Sequence, residues 1–143
     1  MSVARILKEK GRDVETAQPH HTLREIVKRL ADKHLGALVV SDSTRAALGI
    51  VSERDIVRVL AEFGPGVLDE PASKYMTREV QTVTEDASLD EVMSIMTNGR
   101  FRHMPVVEHG KLVGIVSIGD VVRRHVDALH HEREALREYI ATA

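Results

Sequence analysis

Hydrophobic and polar positions along this chain alternate with two different periods, and the whole pattern runs through twice. Leu23, Ile26, Val27, Leu30 and Ala31 recur at i, i+3, i+4, i+7 and i+8; Leu89, Val92, Met93 and Met96 follow the same series. One apolar stripe on a 3.6-residue period predicts an amphipathic helix in each place. Thr22 and Ser88 stand just ahead of the stripes, and Glu25 and Glu91 follow three residues later, which is the spacing of a capping box. A short apolar run comes next each time, Ala37-Leu38-Val39-Val40 and Met104-Pro105-Val106-Val107. A polar turn follows, and a second apolar run closes a hairpin at Leu48–Val51 and at Leu112–Val116. Lead-in strands are expected near Val14–Thr16 and Val80–Val83. A further helix is expected to start at Asp55, carrying Ile56, Val57, Val59 and Leu60, and another at Asp120, carrying Val121, Val122 and Val126.

The two halves align with an offset of about 65–67 residues. The repeat is sharpest at Gly49-Ile50-Val51-Ser52-Glu53-Arg54-Asp55 and Gly114-Ile115-Val116-Ser117-Ile118-Gly119-Asp120, where only the two positions before Asp differ. Each half has a small sheet with one apolar face, and the other half is the natural partner for it. Gly64-Pro65-Gly66 and Pro71 mark the joint. The expected layout is a first repeat over residues 1–66, a second over 67–126 and a helical extension over 127–143, the repeats packed as one module. In the last stretch Val122, Val126, Leu129, Arg133, Leu136 and Ile140 alternate four and three residues apart. That heptad-like stripe, interrupted by Arg133, predicts a long helix packed on a second copy of the chain.

The doubled motif is also where chemistry is expected. A strand-to-helix turn presents free backbone N–H groups to an anion. An Asp three residues after the Ser can accept hydrogen bonds from a sugar diol. The same Ser-x-x-Asp spacing is equally that of a plain capping box, and a duplication copies caps as readily as sites. Both readings stand, and they are compatible.

Composition narrows the remaining classes. A chain of 143 residues is long enough for one compact domain with a core. Its formal net charge of −2 gives no strong pull toward nucleic acid. Two Phe, two Tyr and no Trp offer little platform for base stacking along a strand. With no Cys, thiol catalysis, disulfides and thiolate metal sites are excluded. No apolar run approaches the roughly 18 residues of a membrane span, and Met1–Lys10 lacks the apolar core of a signal peptide, so a cytoplasmic protein is expected. His125, His130 and His131 are spaced five and six apart rather than the four that a helical metal site wants. His20-His21 read as surface loop. Met93, Met96 and Met104 read as core filler. No motif places a general base beside Ser52 or Ser117, so a hydrolase triad is not expected.

Taken together, the two Gly-Ile-Val-Ser-x-x-Asp stretches, Arg102-His103-Met104-Pro105-Val106-Val107, and Tyr75-Met76-Thr77 running into Val80-Gln81-Thr82-Val83 resemble a stand-alone pair of cystathionine-β-synthase (CBS) domains, also called a Bateman module. The resemblance covers about Val3 to Val126. It implies an α/β (α+β) fold of two pseudo-symmetric repeats, each a small sheet with flanking helices, and two clefts that bind adenosine-containing ligands. It implies no catalysis, but a regulatory module that usually dimerises. In the cleft at Asp120, the resemblance implies that Asp120 holds the ribose and Ser117 the phosphate. Thr16, with backbone near Gly36 and Ala37, would frame the adenine. Ile115 would pack on the base, and Arg102 and His103 would neutralise phosphate. In the cleft at Asp55, Asp55 and Ser52 take the ribose and phosphate roles. Thr82, Ile50 and backbone near His103 and Met104 would frame the base, with Lys33 or His34 near phosphate. The first half has Leu38 where the second has Pro105 and lacks an Arg-His pair, so the Asp120 cleft has the fuller phosphate complement. Expected ligands are AMP first, then ADP, ATP or NAD(H), with a homodimer and an effector protein in trans as partners. The alternative is a structural or protein-interaction module without a nucleotide.

Overall fold

The computed structural model describes residues 1–99 and 101–142. Helix α1 spans Val3–Lys10, strand β1 Thr16–Ala17, helix α2 Leu23–Lys33 and strands β2 and β3 Ala37–Val40 and Gly49–Ser52. Helix α3 (Glu53–Phe63) leads through a 3-10 turn (Pro65–Asp69) to the short α4 (Ala72–Tyr75). The second half holds α5 (Leu89–Gly99), β4 (His103–Glu108), β5 (Lys111–Ser117) and α6 (Ile118–Thr142).

β1 runs parallel to β2, and β3 pairs antiparallel on its other side. β4 and β5 form a separate antiparallel hairpin. Its two-residue turn puts His109 and Gly110 at φ 52 and 77°, the left-handed pair that such a turn requires. The second lead-in strand is reduced to one parallel bridge, Val83 opposite Val106. There the Val83 amide donates to the Pro105 carbonyl (3.1 Å) and the Val107 amide to the Val83 carbonyl (2.9 Å). Pro105 lacks an N–H, but this bridge uses only its carbonyl.

Helix starts follow their caps. Thr22 and Ser88 accept from the amides of Glu25 (3.2 Å) and Glu91 (3.1 Å). The two helices expected to start at Asp55 and Asp120 start two residues earlier, at Glu53 and Ile118. Ser52 and Ser117 are the capping residues, so each Asp already lies in the first helical turn.

Two cores form, and they do not follow the sequence halves. Val3, Ile6 and Leu7 of α1, all fully buried, pack with second-half residues such as Val92, Met104 and Val116. Val67, Ala72 and Met76, from the joint, pack with Leu38, Val51 and Ile56 of the first half. Each half therefore lends its leading helix to the other. Burying the three α1 side chains stabilises this arrangement by roughly 5–8 kcal/mol as an upper estimate. A Cβ on Gly114 would lie 2.7 Å from both δ carbons of Leu7, and one on Gly49 would lie 2.5 Å from Met76 Sδ. The glycine heading each Gly-Ile-Val-Ser run is thus the seat for the leading helix that crosses over to it.

α6 outruns the second repeat. Residues 126–142 are all exposed, and Val126, Leu129, Leu136 and Ile140 lie along it with their apolar side chains in solvent. The last residue of the expected extension, Ala143, lies outside the described residues.

Candidate functional site

Both Ser-x-x-Asp turns are closed capping boxes. The Asp55 amide donates to Ser52 Oγ (3.2 Å), while Asp55 Oδ2 accepts from the Ser52 amide (3.0 Å) and hydroxyl (2.9 Å). The Asp120 amide donates to Ser117 Oγ (3.2 Å), and Asp120 Oδ2 accepts from the Ser117 amide (2.9 Å). The capping reading holds locally at both. It does not exhaust a carboxylate, whose two oxygens can take about four hydrogen bonds.

Beyond the caps the two turns differ. At Asp55 a cavity of about 310 Å³ lies between the halves, at the small end of the range for small-molecule sites. Ile50, Ser52 and Asp55 form one wall with Arg54 and Arg58 of α3. Thr77, Val80 and Gln81 of the joint form a second, and Phe101, Arg102 and His103 close the third. Gly36 keeps the floor open, because a Cβ there would meet the His103 ring at 3.2 Å. Among the described residues, the second Asp55 oxygen takes only Arg58 (3.3 Å), whose side chain is 66% exposed. Among the described residues, neither Arg54 nor Arg102 is paired with a carboxylate. Burial lowers the His103 pKa below its ordinary value; the nearby Lys10 cation adds to this, Glu53 opposes it, and Arg102 lowers it further. Arg54, Arg58 and Arg102 bring three guanidinium groups to this cavity, with Glu53 and Glu79 also in its lining; the three arginines are solvent-exposed.

At Asp120 the setting is different. Lys10 Nζ donates to Asp120 Oδ2 (2.5 Å) and to the Ile115 carbonyl (2.9 Å). Burial raises the Asp120 pKa, but the bonds from Lys10 and the Ser117 amide outweigh it and hold the carboxyl below the usual range. Lys10 thus lies in the position where the resemblance puts a ribose.

The expected site residues are distributed unevenly. Ile50, Ser52 and Asp55 come together, and Gly36, Arg102 and His103 join them on the Asp55 side rather than serving only the other turn. Ala37 is buried opposite Ser52 in the β2–β3 ladder. Met104 is fully buried in the second core. Thr16 lines a small depression with Ser41 and Leu112, at the far end of β5 from Ser117. Lys33 and His34 end α2, with His34 in the left-handed capping conformation (φ 56°), and neither they nor Thr82 are among the described walls of the Asp55 cavity. Sequence reasoning missed Lys10, Arg54, Arg58, Thr77, Val80 and Gln81. Only Arg54 carried a signal, since it occupies one of the two positions at which the motif copies differ.

The CBS domain family profile matches residues 4–62 and again 72–127. The chain belongs to the CBS-domain family. As a CBS pair it is similar to the CBS-domain containing protein ATU1752 from Agrobacterium tumefaciens, at 42% identity and TM-score 0.84 over 87% of this chain and 99% of that one. It is also similar to the CBS domain protein PAE2072 from Pyrobaculum aerophilum, complexed with AMP, at 28% identity and TM-score 0.75 over 84% and 89% of the two chains. The CBS domain pair of protein MJ0100, in complex with 5′-methylthioadenosine and S-adenosyl-L-methionine, matches at 27% identity and TM-score 0.80 over 90% and 98%. Among the described residues of this CBS pair, no group of three or more His, Asp and Glu side chains is placed to hold a metal ion. None of its described helices is long and apolar enough to cross a membrane.

Proposed function

We propose that this CBS pair is a non-catalytic regulatory module that binds an adenosine-containing nucleotide between its repeats and signals in trans. The observation that carries this reading is the cavity at Asp55, walled by both repeats and lined by Arg54, Arg58 and Arg102. The ribose diol donates to Asp55, the base lies against Ile50 and Val80, and phosphate lies toward Arg54, Arg102 and His103. The Asp120 turn, with Ile115 and Ser117, forms a second, pseudo-symmetric cleft. Similarity to CBS proteins complexed with AMP and with S-adenosyl-L-methionine supports the adenosyl class. AMP is the first ligand to try, followed by ATP and NAD(H). Ligand bridging both repeats favours one arrangement of them over another, and only such a difference in affinity can drive a switch.

Isothermal titration of the full chain with AMP, ATP, NADH and S-adenosyl-L-methionine tests this. At least one of them gives heat, and Asp55→Ala weakens that binding at least tenfold while the circular dichroism spectrum stays folded. No heat from any of the four, or equal affinity in the variant, refutes it.

A second reading, an interaction module, is favoured by one feature: the exposed stripe Leu129, Leu136, Tyr139 and Ile140 on α6. A homodimer joined along that stripe accommodates both readings.

A further inference from the structure

The two Ser-x-x-Asp turns of the duplicated chain differ here because of three residues. Leu7 and Met76 are equivalent positions, each seated on the glycine of a Gly-Ile-Val-Ser run. Ala17 and Val83 are equivalent too, since their carbonyls accept from the amides of Ser41 (2.8 Å) and Val107 (2.9 Å). The stretch from Leu7 to Ala17 is three residues longer than that from Met76 to Val83. In the shorter copy the helix stops at Tyr75, and Thr77 pairs with Ile50, each amide donating to the other's carbonyl at 3.0 Å. In the longer copy the helix runs on to Lys10. The carbonyl of Ile115, the counterpart of Ile50, then accepts from Lys10 Nζ instead of from a backbone amide. The same ammonium reaches Asp120.

We propose, taking the nucleotide-binding reading as its basis, that Lys10 is a built-in occupant of the Asp120 turn and makes the two clefts unequal. The Asp55 cleft takes ligand first. A ligand enters at Asp120 only by displacing the Lys10 ammonium from the carboxylate that would grip its ribose. The helix that carries Lys10 does not drift away: Val3, Ile6 and Leu7 are fully buried, and Glu9 pairs with Arg124 of α6 at 2.7 Å. Lys10 also sits in the last turn of α1, where a cation faces the negative end of the helix. Displacement is thus a rotation of one flexible four-carbon stem. The Lys10 side chain is 32% exposed, so its exit lies toward solvent.

The test is titration of the full chain with AMP. Wild type binds one AMP per chain at the Asp55 cleft, an event that Asp55→Ala weakens at least tenfold, with any second event at least tenfold weaker. Lys10→Met strengthens the second event by about tenfold, the gain from freeing a half-buried carboxylate of its cation. Asp120→Ala in the Lys10→Met background abolishes it. Two equal events in wild type overturn the inference. So does a second event weakened by Lys10→Met, because Lys10 is then a ligand contact. If AMP does not bind, the titration is repeated with ATP, NADH and S-adenosyl-L-methionine; if wild type takes up none of the four, the nucleotide reading fails instead, and the pair is read without ligand. Acetylation followed by mass spectrometry then finds Lys10 at least tenfold slower than the exposed Lys8, and Asp120→Asn equalises them. Equal rates in wild type overturn the occupant role.

Discussion

Replacing Gly114 by alanine tests the crossing of α1 onto the second repeat. Gly114 lies within β5 and has no positive φ, so alanine is conformationally at home there. The cost is steric. The new methyl would sit 2.7 Å from both Leu7 δ carbons, where ordinary contact begins at 3.4 Å. Leu7 is fully buried, so it cannot yield toward solvent. Overpacking of this kind costs about 1–3 kcal/mol, or roughly 3–9 °C in melting temperature at this chain length. Leu7→Ala alone leaves a cavity and costs about 2–5 kcal/mol. In the double variant the shortened side chain at position 7 vacates the space that the added methyl at position 114 needs. Urea unfolding of the four proteins should show the double variant more stable than the sum of the single losses by about 1–2 kcal/mol. If the losses add to within about 0.5 kcal/mol, Leu7 does not rest on Gly114 and α1 does not cross over.

Further outcomes follow from the site and from α6. His103 is flanked by Lys10, Arg102, Glu53 and Asp120, and its pKa is lowered in the folded chain. The unfolded chain therefore binds more protons in that window, so stability is complete above the ordinary imidazole value near 6.5 and declines as pH falls below it. A phosphate beside the ring reverses that bias, so AMP binding takes up protons in wild type but not in His103→Gln; titration in buffers of different ionisation heat measures this, and identical uptake would falsify the phosphate placement. Ending the chain at Asp127 removes residues of α6 that are exposed in the single chain, so the unfolding free energy of the monomer changes by no more than about 0.5 kcal/mol. Light scattering on the same variant reads a loss of dimer mass, and an unchanged mass excludes the stripe as the dimer contact.

Much of this architecture is local and therefore legible from residue order alone. The 3.6-residue stripes, the β-branched runs and the Ser-x-x-Asp caps depend on neighbours a few positions away, and the duplication made each visible twice. The extra turn in α1 was equally present in the residue order, but nothing nearby gave it a meaning. Lys10 meets Asp120 across 110 positions only because Leu7 finds its seat on Gly114. For the same reason Arg102 and His103, at the start of a strand of the second repeat, face the Asp55 cavity: β4 begins beside Gly36, across the seam. Capping is settled within one turn of helix. Which carboxylate faces a cavity and which faces an ammonium depends on how two nearly identical halves exchange their leading helices, and that exchange exists only once both cores have packed.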